Sequence, residues 1–119
     1  LSMTPLERRR LSSLHDSMQE FVVKDDRDSF ASANLKFHAE IYQGAHNSVL
    51  ADFATGLRRR LAPFRRAQFR TKGRLPRSHE EHEKVVKAVL AGDAAAAHAA
   101  MFHHMSLVEE SFERLAETV

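Results

Sequence analysis

What most constrains this chain is its lack of punctuation. Across 119 residues there are only four Gly and three Pro. No stretch alternates apolar and polar residues for long enough to make a half-buried strand. Apolar residues recur instead at three- and four-residue steps, the spacing of one helix face. The pattern predicts an all-α fold, an antiparallel bundle of about five to six helices joined by short turns.

The boundaries follow from capping chemistry. Thr4-Pro5-Leu6-Glu7 reads as a capping box that opens a first helix, with Leu6, Leu11, Leu14, Met18, Phe21 and Val22 as its apolar stripe. A second helix is expected from about Asp28 to Gln43, burying Phe30, Phe37 and Ile41 and stopping at Gly44. Asn47 can cap a third, with Leu50, Phe53, Leu57, Leu61 and Phe64 inward, and Pro63 should kink it or end its first half near Ala62. Thr71 to Arg77 contains Gly73 and Pro76 and reads as a loop, and Ser78-His79-Glu80-Glu81 reads as a second capping box. The helix it opens carries Val85, Val86, Val89 and Leu90 and stops at Gly92. Asp93 caps a last helix running to about Glu117, with Met101, Met105, Val108, Phe112 and Leu115 as its stripe.

Several classes fall away on composition. The chain has no Cys, which excludes disulfides and thiolate metal sites. No apolar run approaches the roughly 18 residues of a membrane span, and the first ten residues show no signal or transit pattern. A cytoplasmic domain without membrane contact is expected. At 43% apolar the chain can build a packed core, so it is not a disordered segment. There is no Gly-rich phosphate loop, no G-x-S-x-G and no H-E-x-x-H. No His has Glu three residues before it, which removes a ferritin-like di-iron site. No nucleophile or general base stands out, which leaves an enzyme open but without a named catalytic group.

Eight His remain to be explained. His38 lies beside Phe37, one turn before Ile41, with Asn34 one turn earlier on the same face. His82 precedes Val85, Val86 and Val89 at helical spacing. His104 is three residues after Met101. Three helices thus each place an imidazole on or beside the buried side. Either each finds its own hydrogen-bond partner in the core, or the three share a metal, which neutral imidazole commonly ligates. The other five, His15, His46, His79, His98 and His103, read as structural or solvent-facing positions.

Nine of the 18 basic residues fall between Arg58 and Arg77, and no acid lies among them. A solvated face, a nucleic-acid surface and an anion pocket are the three readings. On a helical wheel centred on Leu57, Arg60 lies about 60° away and leans inward more than Arg58, Arg65 or Arg66. An inward Arg near a metal would suit a small carboxylate, whose two oxygens match the guanidinium fork.

The order of motifs adds a resemblance. Asn34-x-x-Phe37-His38, Ala45-His46-Asn47-x-x-Leu50, Arg74-x-x-x-Ser78-x-x-Glu81-His82-x-x-Val85-Val86-x-Ala88-Val89-x-x-Gly92-Asp93 and Ala99-Ala100-Met101-x-x-His104-Met105 follow one another along nearly the whole chain. Together they resemble the effector domain of GntR-family transcription regulators of the FadR group, the FCD domain. The resemblance implies a helical domain that binds a small organic acid, often beside a metal held by an Asp and three His. The three His carry over to His38, His82 and His104. The Asp position is Asn34 here, whose amide oxygen can ligate but brings no charge.

Expected ligands are therefore Asn34, His38, His82 and His104, with zinc the first metal to consider and nickel or another divalent ion the alternatives, and Arg60 as the carboxylate partner. The resemblance also implies a homodimer and DNA contact only through an N-terminal winged-helix domain outside this chain. Residues 1–119 would then be one effector-binding and oligomerisation domain without its usual first helix, and the start at Leu1 fits a piece of a longer or processed protein. The alternatives are a stand-alone helical metal-binding protein or metalloenzyme, and an Arg-rich nucleic-acid-binding module.

Overall fold

In a computed structural model of the chain, residues 3–104 are described, and among them every regular element is helical. α1 spans Pro5–Val23, α2 Arg27–Gly44, α3 Ser48–Arg60, α4 Ala62–Phe69 and α5 Arg74–Leu90. α6 begins at residue 94 and is helical to the last described residue, His104. The stripe expected at Met105, Val108, Phe112 and Leu115 lies outside the described residues.

Local chemistry sets most of these boundaries. The capping box is present: the Thr4 hydroxyl accepts from the Glu7 amide at 3.2 Å, and the Glu7 carboxylate accepts from the Thr4 amide at 2.8 Å. Asp26, Asn47 and Asp93 each accept a hydrogen bond from the backbone amide three residues on. Pro63 splits the third expected helix into α3 and α4, with the break at Leu61. One expectation fails. The 71–77 loop is shorter than its Gly and Pro suggest, because α5 starts at Arg74 from a left-handed Gly73 with φ of 79°. Pro76 falls in the first turn, where its missing N–H breaks no helical bond. Ser78 is therefore a buried residue one turn inside the helix and not its cap.

α2 is the central element, packed against α1, α3 and α4, while α1 also packs on α5. The core joins Leu11 and Met18 of α1, Phe30 and Phe37 of α2, Phe69 of α4, and Leu75, Val85, Val86 and Val89 of α5. Ala97 of α6 is buried in the same cluster. Fully burying each large side chain contributes about 1.5–3 kcal/mol. Leu6, placed in the first stripe by its spacing, is instead half exposed.

The larger departure is α3. Its apolar residues Val49, Leu50, Phe53 and Leu57 face solvent, and the side turned to α2 carries Ala51 and Arg58. The inward face of α3 is therefore its small and polar one.

Candidate metal centre

Three helices bring their imidazoles to one point. His38 of α2, His82 of α5 and His104 of α6 are each 1% exposed or less. One ring nitrogen from each lies within 4.8 Å of the others. His38 and His104 stack with ring centroids 5.6 Å apart, and His82 stands edge-on to both. Phe37 lies parallel to the His82 ring at 4.3 Å and closes the site on the core side.

Among the described residues, five of the six ring nitrogens of this cluster have no protein partner. Both ring nitrogens of His38, both of His82 and Nε2 of His104 are buried without a hydrogen bond, as is Oδ1 of Asn34. A native interior seldom tolerates this, since each buried unpaired polar group costs about 1–3 kcal/mol. A divalent metal satisfies one nitrogen from each ring at once. Asn34 sits one turn before His38 on the buried side of α2, so its orphaned oxygen is a further candidate donor. The donor set thus fits a metal better than it fits three self-satisfied core histidines.

His104 shows how one ligand is aimed. Its Nδ1 donates to Oε1 of Glu81 at 2.6 Å. Glu81 is itself gripped by both terminal nitrogens of Arg74, at 3.0 and 3.2 Å, and all three side chains are buried. With Nδ1 protonated, the lone pair of His104 is on Nε2, the nitrogen without a partner. A carboxylate behind a ligating imidazole is the usual way a metal ligand is oriented.

Charge states agree. Burial pushes His38 and His82 well below the ordinary imidazole value of 6.5, helped by the positive charge of Arg58 on His38 and by His104 beside His82. Burial also lowers His104, although its bond to Glu81 works the other way. For Glu81 burial acts to raise the pKa, but the hydrogen bonds from His104 and Arg74 outweigh it and hold the carboxyl below 4.5. All three rings are therefore neutral and able to ligate near neutral pH.

Neutral buried rings give metal-free protein a signature. The unfolded chain takes up protons near pH 6.5, whereas the folded state resists them until lower pH, so protons favour unfolding in that window. Denaturation of chelator-treated protein should show full stability above pH 6.5, falling steadily as the pH drops below it. A denaturation midpoint that stays level between about pH 7.5 and 5.5 would contradict neutral burial of these rings.

Between α2, α3 and α4 lies a cavity of about 310 Å³; none of the three His lines it, but it is lined by Asn34, and its Arg58 and Arg65 are near enough to act on the charge of His38. Asn34, Thr55, Arg58 and Arg65 line it, together with Lys36 and Phe69. The inward Arg expected at position 60 is corrected here: Arg60 is exposed and does not line the cavity, while Arg58 is 6% exposed. Leu57, the centre of the expected inward face, faces solvent instead. Arg58 Nε donates to the Tyr42 hydroxyl at 2.7 Å, leaving its Nη2 buried and unpaired.

Two further histidines are more buried than their spacing suggests. His15 and His79 stack at 4.2 Å, and Nε2 of His15 meets Glu83. His46, His98 and His103 are exposed, in line with a structural or solvent-facing reading.

Residues 1–107 match the sequence profile of the FCD domain. The chain belongs to the FCD family. Its curated relatives include a "Putative L-lactate dehydrogenase operon regulatory protein" of Escherichia coli K12, 29% identical over 82% of this chain and 40% of that protein. They also include the "Galactonate operon transcriptional repressor" of the same strain, 25% identical over 90% of this chain and 46% of that protein. The "HTH-type transcriptional regulator LutR" of Bacillus subtilis 168 is 28% identical over 84% of this chain and 48% of that protein. The FCD chain thus spans just under half the length of these regulators. It is a regulatory, effector-binding domain of the GntR-type transcription regulators and not an enzyme. FCD domains are often metal-associated, and this one brings three buried His together. No described helix is long and apolar enough to cross a membrane.

Proposed function

We propose that this domain senses a small organic acid bound beside a divalent metal, and that it does so within a cytoplasmic transcription regulator whose DNA contact is made by another domain. The observation that carries the reading is the cluster of buried, unpartnered donors on His38, His82 and His104. Those three residues would hold the metal, with Asn34 as an oxygen donor. Zinc is the first choice, and nickel or another divalent ion would suit the same imidazoles. When bound, the metal supplies a Lewis-acidic position for a carboxylate oxygen. Lactate and galactonate, the acids in two relatives' names, are both hydroxycarboxylates, which supports the same ligand class.

The chain's own residues supply the rest. Arg58, in the place expected for Arg60, offers a buried unpaired N–H to an anion in the adjoining cavity. The metal ligands sit on α2, α5 and α6 and the guanidinium on α3, so an acid touching both ties two groups of helices together. That can switch a regulator only if the acid binds the two arrangements unequally. Metal analysis and calorimetry with small carboxylates test the reading. Arg58→Ala should weaken carboxylate binding about ten- to a hundredfold, the usual worth of a charged hydrogen bond, with metal content intact. Arg60→Ala should leave affinity unchanged.

The same reading includes a homodimer. Val49, Leu50, Phe53 and Leu57 form an exposed apolar strip along α3, of the kind that marks an interaction surface. Asp52 near its start and Arg59 and Arg60 at its end are exposed too, so an antiparallel α3 pair would match acid to base across a two-fold axis. Sedimentation should give a dimer, and Phe53→Asp should give a monomer of unchanged metal content. A wild-type monomer at high micromolar concentration would contradict it.

A further inference from the structure

The cavity beside the triad is more cationic than one carboxylate requires. Among the described residues, five that line it are Lys or Arg and none is Asp or Glu. Two of the cations are turned inward. Among the described residues, Nη2 of Arg58 and Nε of Arg65 are buried without a partner, and so is the hydroxyl of Thr55, three residues before Arg58. Burial of its Nε side and the like charge of Arg58 lower Arg65 to about 10, while the side chain as a whole is only partly buried. The carboxylate nearest the triad cannot serve, because Glu81 is already neutralised by Arg74. Asn34 adds no negative charge where the resemblance expects an Asp. A metal held by three neutral imidazoles and an amide therefore keeps its full charge.

We infer that the acid bound here carries two separate anionic groups, one directed to the triad and the other to the Arg58–Arg65 pair beside Thr55. This rests on the effector reading above and narrows it from hydroxycarboxylates in general, among which lactate and galactonate are monoanions, to dianionic acids: a second carboxylate or a phosphoryl group in place of an uncharged tail. A monocarboxylate would leave one buried guanidinium N–H unpaired, the costly arrangement in a low-dielectric interior. A second anionic group removes that deficit and gains the charge-assisted bonds.

The experiment is calorimetry on zinc-loaded protein with matched acids. L-Lactate against L-malate adds a second carboxylate, and glycolate against phosphoglycolate adds a phosphoryl group. At least one dianion should bind about ten- to a hundredfold tighter than its monoanionic partner, and the favoured pair identifies the second group. Arg65→Gln should reduce that ratio to within about threefold while the monoanion binds as before. Arg58→Gln is a second variant, expected to weaken both acids, as the proposed function requires, and to narrow the same ratio, with metal content and melting temperature checked in both. Equal affinity for mono- and dianion overturns the inference and leaves the metal-bound carboxylate reading standing. A preference that survives both substitutions also overturns it. Binding of none of the four acids overturns this inference and the effector reading together.

Discussion

Zinc should raise the melting temperature of the wild-type domain by roughly 10–20 °C, and His82→Leu should abolish the rise. Metal that binds only the folded chain stabilises it by about 4 kcal/mol at a thousand times its dissociation constant. For a domain of this size each kcal/mol moves the midpoint several degrees. Leucine has nearly the bulk of the imidazole and keeps the contact with Phe37, so the core is not emptied. In metal-free protein the same substitution removes two buried ring nitrogens that have no partner. His82→Leu should therefore be as stable as metal-free wild type or more so, by up to about 1–3 kcal/mol. The two outcomes have opposite signs, and packing alone cannot produce both. If zinc leaves the wild-type midpoint where it is, the three histidines are core residues and not ligands. Thermal scans with and without chelator, on both proteins, read the result directly.

The triad was legible in the sequence because, on α2, α5 and α6, the apolar face and the buried face coincide. Ile41, the run Val85, Val86 and Val89, and Met101 each mark the inward side, and each His sits three or four residues from one of them. On α3 the two faces separate. Leu50, Phe53 and Leu57 lie on the outside while Ala51 and Arg58 turn to α2. A wheel centred on Leu57 therefore pointed to Arg60 and passed over Arg58. Arg65 was hidden for a different reason, since it belongs to a helix restarted by Pro63 and its direction cannot be extrapolated from α3. The start of α5 was misplaced because a left-handed Gly73 and a first-turn Pro76 open a helix as well as they end one. With the start at Arg74, residues Arg74 and Glu81 stand two turns apart on one face. The contact from Glu81 to His104 spans 23 residues between two helices, and no local period encodes it.

That contact makes Glu81 the most sensitive position outside the ligands themselves. Its carboxylate does two things at once: it aims the His104 ring and it neutralises Arg74 in the interior. Glu81→Gln keeps the shape and an acceptor oxygen but loses the charge. The second effect should dominate stability, because leaving one member of a buried ion pair uncompensated costs about 3–5 kcal/mol, a large part of a domain's total of about 5–15 kcal/mol. The first should show in metal affinity, which falls about 10–100-fold when such an orienting partner is lost. A double variant separates the two. Arg74→Met with Glu81→Met replaces the pair by apolar groups of similar size, so stability should recover to near the wild-type value. Metal affinity should not recover, since methionine offers the Nδ1–H of His104 no oxygen to orient it. Urea denaturation and competitive zinc titration on the three proteins give the comparison. Zinc affinity that returns together with stability in the double variant would mean that Glu81 supports only the fold, with no part in holding His104 as a ligand.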